Sequence, residues 1–406
     1  MKSLINKFVT TLLSNWQMSL SIKKSYWFLR GIHRYIGLIV GMLFIIIGLS
    51  GSVLAFWQSI DEWLNAPLMV VQKSSQQPNA AYRSLDDMLK AAKNVITEGG
   101  VAEIIRLPRH SEAAVIISYS KSTVDHKMDF YDIFVNPYTA TVNGQRLRHS
   151  ADSEFVQPFT YLMRSLHYTL FLGRNNSQVV GIPALFLLLS MFVGLVLWWP
   201  RNNQWRKALT IKQKSSVERL TYDLHKTVGI YFGGILIVIM FTGIALIFST
   251  QTRSIVTLFS AVKMPFHKLK LQSEPIVGEQ PLDIDTVVSI ANQLYPDGKL
   301  QSIILPKTTT DVYRIGKHAD EEVNQAFTKR VVTIDQYSGK ILDIQDPQHF
   351  SGGEIFISWL YPLHSGEAFG NVGRVIAFVM GFVPLVLFIT GFIRWQQKRK
   401  AVRQRL

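Results

Sequence analysis

The sequence predicts an α-helical membrane protein, a four-helix transmembrane bundle made from a tandem two-span repeat, with two α+β domains on the outer side. Three observations predict it. Four long runs carry no charged residue, basic residues crowd three short stretches beside them, and the two halves of the chain repeat one spacing of histidines and glycines.

The runs are Tyr35–Trp57, Gln178–Trp199, Thr227–Thr250 and Val375–Ile393, and none holds Asp, Glu, Lys or Arg. Each is near the roughly 20 residues that a helix needs to cross a bilayer core. A helix of a soluble core is usually shorter and keeps a polar face. Length alone, 406 residues, would suggest two or three domains; the apolar runs override that count.

Charge sets the orientation. Residues 1–34, 200–226 and 394–406 together hold 19 of the 43 basic residues and 2 of the 28 acidic ones, while the rest of the chain is nearly neutral. An excess of Lys and Arg marks the cytoplasmic side, so both termini and the central loop are placed there. The formal charge of +15 is then a basic collar against anionic lipid headgroups and needs no nucleic-acid partner. The first run is too long for a cleaved signal peptide and is expected to remain as an anchor, with Phe8–Ser21 lying along the cytoplasmic interface. Cysteine is absent, which excludes disulfides, Cys-ligated iron–sulfur clusters and thiol catalysis.

The repeat is read by self-comparison. His33 is followed by Gly37, Gly41 and Gly51; His225 is followed by Gly229, Gly233 and Gly243 at the same offsets of 4, 8 and 18. His167 precedes Gly194 by 27 residues, as His364 precedes Gly391, and Trp198 and Trp395 each lie 31 residues after their histidine. The outer segments repeat too. Helix-like Ser84–Val95 leads into strand-like Glu103–Leu107, Ala114–Ser118 and a hairpin over Phe134–Val142. In the second half, Ile284–Leu294 leads into strands near Ser302–Leu305 and Asp311–Ile315 and a hairpin over Val332–Leu342. Asn, Pro, Ser and Gly at the turns suit hairpins, so each segment reads as one helix on an antiparallel sheet. Because the repeat unit holds two spans, the halves are related by an axis along the membrane normal, and equivalent residues share a depth.

Equal depth pairs His33 with His225 near the cytoplasmic face and His167 with His364 near the outer face. Facing imidazoles form a cage for a haem iron that needs no cysteine. Gly37, Gly41, Gly229 and Gly233 would leave a helix face flat for a macrocycle or a neighbouring helix. The competing reading makes these histidines interfacial anchors and these glycines ordinary packing positions. Zinc fits less well, since two histidines per level leave a tetrahedral ion short of ligands and no span holds a carboxylate.

The segments Gly31-Ile-His-Arg-Tyr-Ile-Gly37, Asp223-Leu-His-Lys-Thr-Val-Gly229, Ser165-Leu-His-Tyr-Thr-Leu-Phe-Leu-Gly173 and Tyr361-Pro-Leu-His364 resemble the PepSY-associated transmembrane family. Phe134–Val142 and Val332–Leu342 resemble its PepSY domains. The resemblance runs from about Tyr26 to Trp395. It implies two b-type haems with His33, His225, His167 and His364 as axial ligands, and a ferric-siderophore reductase of the bacterial inner membrane. Electrons from a quinol, a flavin or a partner reductase would cross to a ferric siderophore or other ferric chelate outside. No flavin or nucleotide motif occurs on the chain. The second copy reads Leu-His-Ser-Gly-Glu where the first reads Leu-His-Tyr-Thr-Leu, so the last span is expected to begin close to His364. The organisation implied is 1–34 cytoplasmic, 35–57 first span, 58–166 first PepSY-like domain and 167–199 outer-ligand segment with the second span. Then follow 200–226 basic loop, 227–250 third span, 251–363 second PepSY-like domain, 364–393 outer-ligand segment with the fourth span, and 394–406 tail.

Other features point less sharply. Arg34 and Lys226 follow the inner histidines and Arg164, Arg174 and Arg374 lie near the outer ones, suited either to haem propionates or to snorkelling. His149 and His349 precede the outer histidines and read mainly as loop residues; His110, His126, His267 and His318 have no repeat partner. Trp198, Trp199, Trp205 and Trp395 read as an interfacial belt. Two rival functions are a haem-free chelate permease and a sensory protein whose outer domains bind peptides. Against the first, no span carries an intramembrane charge or a central Pro-Gly break, and Pro183 and Pro384 have no such partner. The second has little use for four histidines at matched depth.

Overall fold

The computed structural model describes residues 2–71, 81–173, 175–200, 204–263, 270–276, 278–319, 322–324 and 326–404, with side chains from residue 24 onward. Arg174, Arg201, His267 and Arg405 lie outside the described residues, as do the side chains of Phe8–Ser21. Four stretches are long and apolar enough to cross a membrane: Lys24–Leu54, Gln178–Trp198, Val217–Ile247 and Glu367–Arg403. In hydrocarbon every backbone N–H and C=O must find a partner within the chain, which is why these runs are helices.

The first, α1 (Lys2–Leu54), contains no proline and runs unbroken to the short helices α2 (Trp57–Leu64) and α3 (Ala66–Met69). Helix α4 (Leu85–Lys93), capped by Ser84, leads into strands β1 (Gly100–Arg106), β2 (Val115–Ser122), β3 (Met128–Val135) and β4 (Val142–His149). Helix α5 (Phe159–Thr169) then precedes the second span, α6 (Gln178–Trp198). After α7 (Trp205–Leu209), the third span α8 (Val217–Ile247) starts at a Ser216 cap whose side chain accepts from the Arg219 N–H, with Glu218 in its first turn. Both features favour a helix N-terminus.

The second half follows the same order. Helices α9 (Ser249–Thr257) and α10 (Ile284–Leu294) precede strands β5 (Lys299–Ile304), β6 (Val312–His318), β7 (Arg330–Asp335) and β8 (Ile341–Gln345). Helix α11 (Gly352–Ser365) opens on a capping box between Ser351 and Glu354 and closes on Gly366, whose φ of +83° is left-handed. The fourth span is split into α12 (Gly370–Met380) and α13 (Val383–Arg403), with Pro384 in the first turn of α13. Here α1 and the fourth span touch backbone to backbone. A side chain on Gly48 would collide with the Gly381 carbonyl, and the Ser52 hydroxyl donates to the Phe378 carbonyl at 2.7 Å. Ser52 thus supplies a donor where the helix is broken.

The outer segments, expected as two separate units, share one eight-stranded antiparallel sheet in the order β4-β3-β2-β1-β5-β6-β7-β8. The join is β1 against β5, with Ile104 opposite Ile304 and Ile105 opposite Ile303. Each half thereby covers the other's open edge. Helices α4 and α10 lie together on one face, tied by Asp285, which accepts from the Leu85 and Asp86 N–H groups at 3.0 and 3.2 Å. One apolar core results, with Met88, Ala92, Ile105, Ile117 and Ile133 meeting Val287, Ala291, Ile303, Ile315 and Val332. The sheet is fixed to the bundle through α2. Asp61 takes two bonds from Arg146 of β4, at 2.9 and 2.7 Å, and both side chains are largely buried.

Candidate functional site

The four repeat-locked histidines meet in two pairs. The ring centres of His33 and His225 are 6.1 Å apart, and so are those of His167 and His364. His33 lies on α1, His225 on α8, His167 on α5 and His364 on α11. The outer two therefore sit on short helices ahead of the spans, α11 ending one residue past His364. Along α1, His33 and the glycine that contacts His167 are 18 residues apart, about 27 Å of helix. The two pairs thus lie close to opposite ends of the bundle.

One device holds all four rings. His33 Nδ1 faces the Ser190 carbonyl at 2.8 Å, His225 Nδ1 the Leu387 carbonyl at 3.1 Å, His167 Nδ1 the Ile47 carbonyl at 2.8 Å and His364 Nδ1 the Ile239 carbonyl at 2.8 Å. A carbonyl only accepts, so each Nδ1 carries the proton and each Nε2 keeps its lone pair. Four residues beyond each carbonyl stands a glycine, and the Cε1–Nδ1 edge of the ring lies against it. A Cβ there would come within 3.0 Å of His33 at Gly194, 3.3 Å of His225 at Gly391, 2.9 Å of His167 at Gly51 and 2.8 Å of His364 at Gly243. Hydroxyls reinforce the arrangement. Thr390 Oγ1 accepts from His225 Nδ1 at 2.9 Å while donating to the Val386 carbonyl, and Ser190 Oγ lies 3.0 Å from His33 Nδ1. Ser50 and Thr242 stand at 3.4 and 3.3 Å from the outer rings.

Both pairs open into one cavity of about 1500 Å³ that runs the length of the bundle. Its middle is apolar, lined by Phe44, Ala184, Leu236, Met240 and Met380. At the end away from the sheet, Arg30, Arg34, Lys226, Arg394 and Lys398 surround the mouth. At the sheet end stand Arg106, Arg148, His149, Tyr161, Arg164 and Tyr361. Arg106 and Arg148 share the buried Asp132, at 3.7 and 3.4 Å, and the Ser118 hydroxyl donates to it at 2.6 Å. Burial pushes the Tyr161 phenol up, Asp132 adding to the effect and Arg106, Arg148 and Arg146 opposing it. Burial likewise raises Tyr361, with Tyr168 and Glu367 contributing. Both phenols keep their protons and can donate into the cavity.

The structure sorts the remaining sequence candidates. Arg34 and Arg164 line the cavity, whereas Lys226 is bound to Asp223 and the Lys207 and Thr210 carbonyls, and Arg374 donates to the Ala55 carbonyl at 2.8 Å. His149 lines the cavity; His349 is exposed beside Asp346. His110 bonds Glu62 at the surface, His126 occupies a turn and His318 ends β6. Gly37 and Gly41 face the cavity, and Gly229 packs near Leu387. Trp198, Trp199 and Trp205 cluster edge to face. Sequence reasoning missed the carbonyls, Ser190, Thr390, Ser50 and Thr242, and the arginines Arg30, Arg106, Arg148 and Arg394. For the first group a signal existed, because Gly51, Gly243, Gly194 and Gly391 recur at fixed distances from the histidines.

Fold and site together define a multi-span membrane protein with two facing histidine pairs inside its helical bundle. The chain belongs to the family described as the PepSY-associated TM region, which matches residues 30–398. Among curated proteins, none matches it.

The histidine pairs fit the haem that the family resemblance implies. An imidazole nitrogen binds a metal at about 2.0–2.1 Å and sits about 1.1 Å from its ring centre, so two rings on opposite sides of one ion have centres about 6.3 Å apart. The observed 6.1 Å matches at both levels. Among the described residues no group of three or more His, Asp or Glu is placed to hold a metal ion.

Proposed function

We propose that this protein is a duplicated four-span cytochrome of the bacterial inner membrane, with both termini cytoplasmic. Two b-type haems are held by His33 with His225 and by His167 with His364. It carries electrons from a cytoplasmic or quinol donor to a ferric chelate at the sheet side, as a ferric-siderophore reductase. The observation that carries this reading is the pair of facing histidines near each end of one cavity, every Nδ1 tied to a carbonyl and every Nε2 free to ligate.

Haem would supply reversible one-electron chemistry, with its potential set by ligand type, burial and hydrogen bonding. The chain's own contribution is positional. The carbonyl bonds fix the tautomer and ring orientation and raise ligand basicity, as partners behind a metal-bound histidine do. The glycines let each ring lie against a helix backbone, and the apolar middle of the cavity excludes water. Arg106, Arg148 and Arg164 with the protonated Tyr161 and Tyr361 present donors at the sheet-side mouth, where anionic oxygen donors of a chelate would be received.

The test is direct. Detergent-purified protein should be red, with b-type bands after dithionite and two haems per chain, and should reduce members of a panel of ferric siderophores. His225→Ala should remove one haem and leave the other. A colourless preparation from haem-replete cells would refute the reading; loss of no haem in the variant would refute the pairing.

A further inference from the structure

At the mouth away from the sheet, Arg30 and Arg34 flank His33 on α1, while Arg394 and Lys398 lie 3 and 7 residues beyond Gly391, the glycine under His225. All four line the cavity. Lys398 lies within electrostatic range of Arg394, Arg30 and Arg34. Among the described residues none of the four makes an ion pair. The sequence has no acid before Asp61, Asp223 is taken by Lys226 and Arg219, and Glu218, within range of Arg394, is fully exposed. Four like charges gathered around one opening repel one another, and a bound anion relieves that repulsion.

Only two of the four positions are also cationic in the other copy of the repeat. The offset relating His33 to His225 puts Tyr222 opposite Arg30 and Lys226 opposite Arg34, and the offset relating His167 to His364 puts Leu197 opposite Arg394 and Arg201, which lies outside the described residues, opposite Lys398. Lys226 is already neutralised by Asp223, so among the described residues the cations at this mouth that make no ion pair stand on α1 and α13, with Arg34 over the Tyr35 ring and Arg394 over the Tyr222 ring. The rest of the cavity between the histidine pairs is apolar.

Resting on the function proposed above, we propose that Arg30, Arg34, Arg394 and Lys398 form a clamp for the two carboxylates on one edge of the macrocycle held by His33 and His225. Arg30 and Arg34 would hold it from α1, and Arg394 and Lys398 from α13. The ligand class is a planar tetrapyrrole dicarboxylate, and the clamp selects for its charge through charge-assisted hydrogen bonds.

The test uses full-length protein purified without haem from haem-limited cells and titrated with iron protoporphyrin IX or its uncharged dimethyl ester, read by absorbance and stoichiometry. In the wild type, the dimethyl ester should bind the His33/His225 site about 10- to 100-fold more weakly than the diacid, the loss expected for charged hydrogen bonds. Arg394→Gln with Lys398→Gln should weaken the diacid by a similar factor and erase the discrimination, while the His167/His364 site still fills and reports an intact fold. Arg394→Lys with Lys398→Arg, which keeps the charges, should restore both. A wild type that binds both porphyrins equally at that site, a Gln variant that binds the diacid as tightly as wild type, or a charge-keeping variant that restores nothing overturns the clamp. Binding of neither porphyrin anywhere overturns the haem reading itself, and the clamp with it.

Discussion

Replacing Gly243 by alanine tests the histidine cradle most sharply. The new Cβ would lie 2.8 Å from His364 Cε1 and 3.2 Å from Nδ1, where ordinary contact begins near 3.4 Å. The ring must therefore withdraw by about 0.6 Å. Such a shift stretches the 2.8 Å bond from Nδ1 to the Ile239 carbonyl toward the limit of a useful hydrogen bond. Overpacking of this kind costs about 1–3 kcal/mol, and a lost hydrogen bond about 0.5–1.5 kcal/mol. Alanine recovers about 1 kcal/mol of helix propensity over glycine. The balance is a loss of about 1–3 kcal/mol and a displaced Nε2. The other three glycines rank below Gly243, because the clash eases from 2.9 Å at Gly51 to 3.0 Å at Gly194 and 3.3 Å at Gly391, where the net change should be near zero. Gly234→Ala is the control, since Gly234 is exposed and nothing lies within 4 Å of its added carbon. Thermal unfolding of the solubilised protein, followed by fluorescence alongside cofactor content, should give the order Gly243, Gly51, Gly194, Gly391. A Gly243→Ala protein as stable as Gly234→Ala, or a Gly391→Ala protein that is worse, would refute the cradle.

Two further outcomes concern the sheet and its attachment. Asp61→Asn removes the bidentate charge partner of the buried Arg146, which keeps Asp132 at 3.9 Å, and should cost about 1–3 kcal/mol, seen as a lowered midpoint in the same unfolding assay. Burial pushes the Glu322 carboxyl from 4.5 up to about 7, against the opposing N–H groups of Lys329 and Ala319. The folded state thus holds a proton that the unfolded chain releases, so stability should fall as pH rises from about 4.5 to 7 and level off above. Glu322→Gln should flatten that slope, measured as the difference in unfolding midpoint between pH 5 and pH 8; a slope equal to the wild type's would assign it elsewhere.

The spans were legible in the sequence because a bilayer demands length and apolarity, both local properties. Their ends were read less well. The apolar run starting at Tyr35 belongs to a helix that begins at Lys2, since a helix continues through interfacial Lys and Arg that a charge-free window excludes. The fourth span is broken at Gly381, where Pro384 offers no N–H and crowds the carbonyl four residues before it, and α1 packs closely against the break at Gly48. The outer segments were legible as helix and strands, yet the pairing of β1 with β5 was not, since alternation of apolar residues names a face and leaves the neighbouring edge open.

The same division runs through the site. By itself the sequence determined which four histidines correspond and at which depth they meet, because duplicated spacing along helices fixes height. It also marked Gly51, Gly243, Gly194 and Gly391 as positions of interest without a role. Only the tertiary structure decided what those glycines do, which Nδ1 meets which carbonyl, and which cations are free. Lys226 and Arg34 occupy equivalent places in the repeat, yet Asp223 neutralises one and nothing in the sequence before Asp61 could neutralise the other. Contacts of that kind depend on which helices lie side by side, and spacing along one chain does not specify its neighbours.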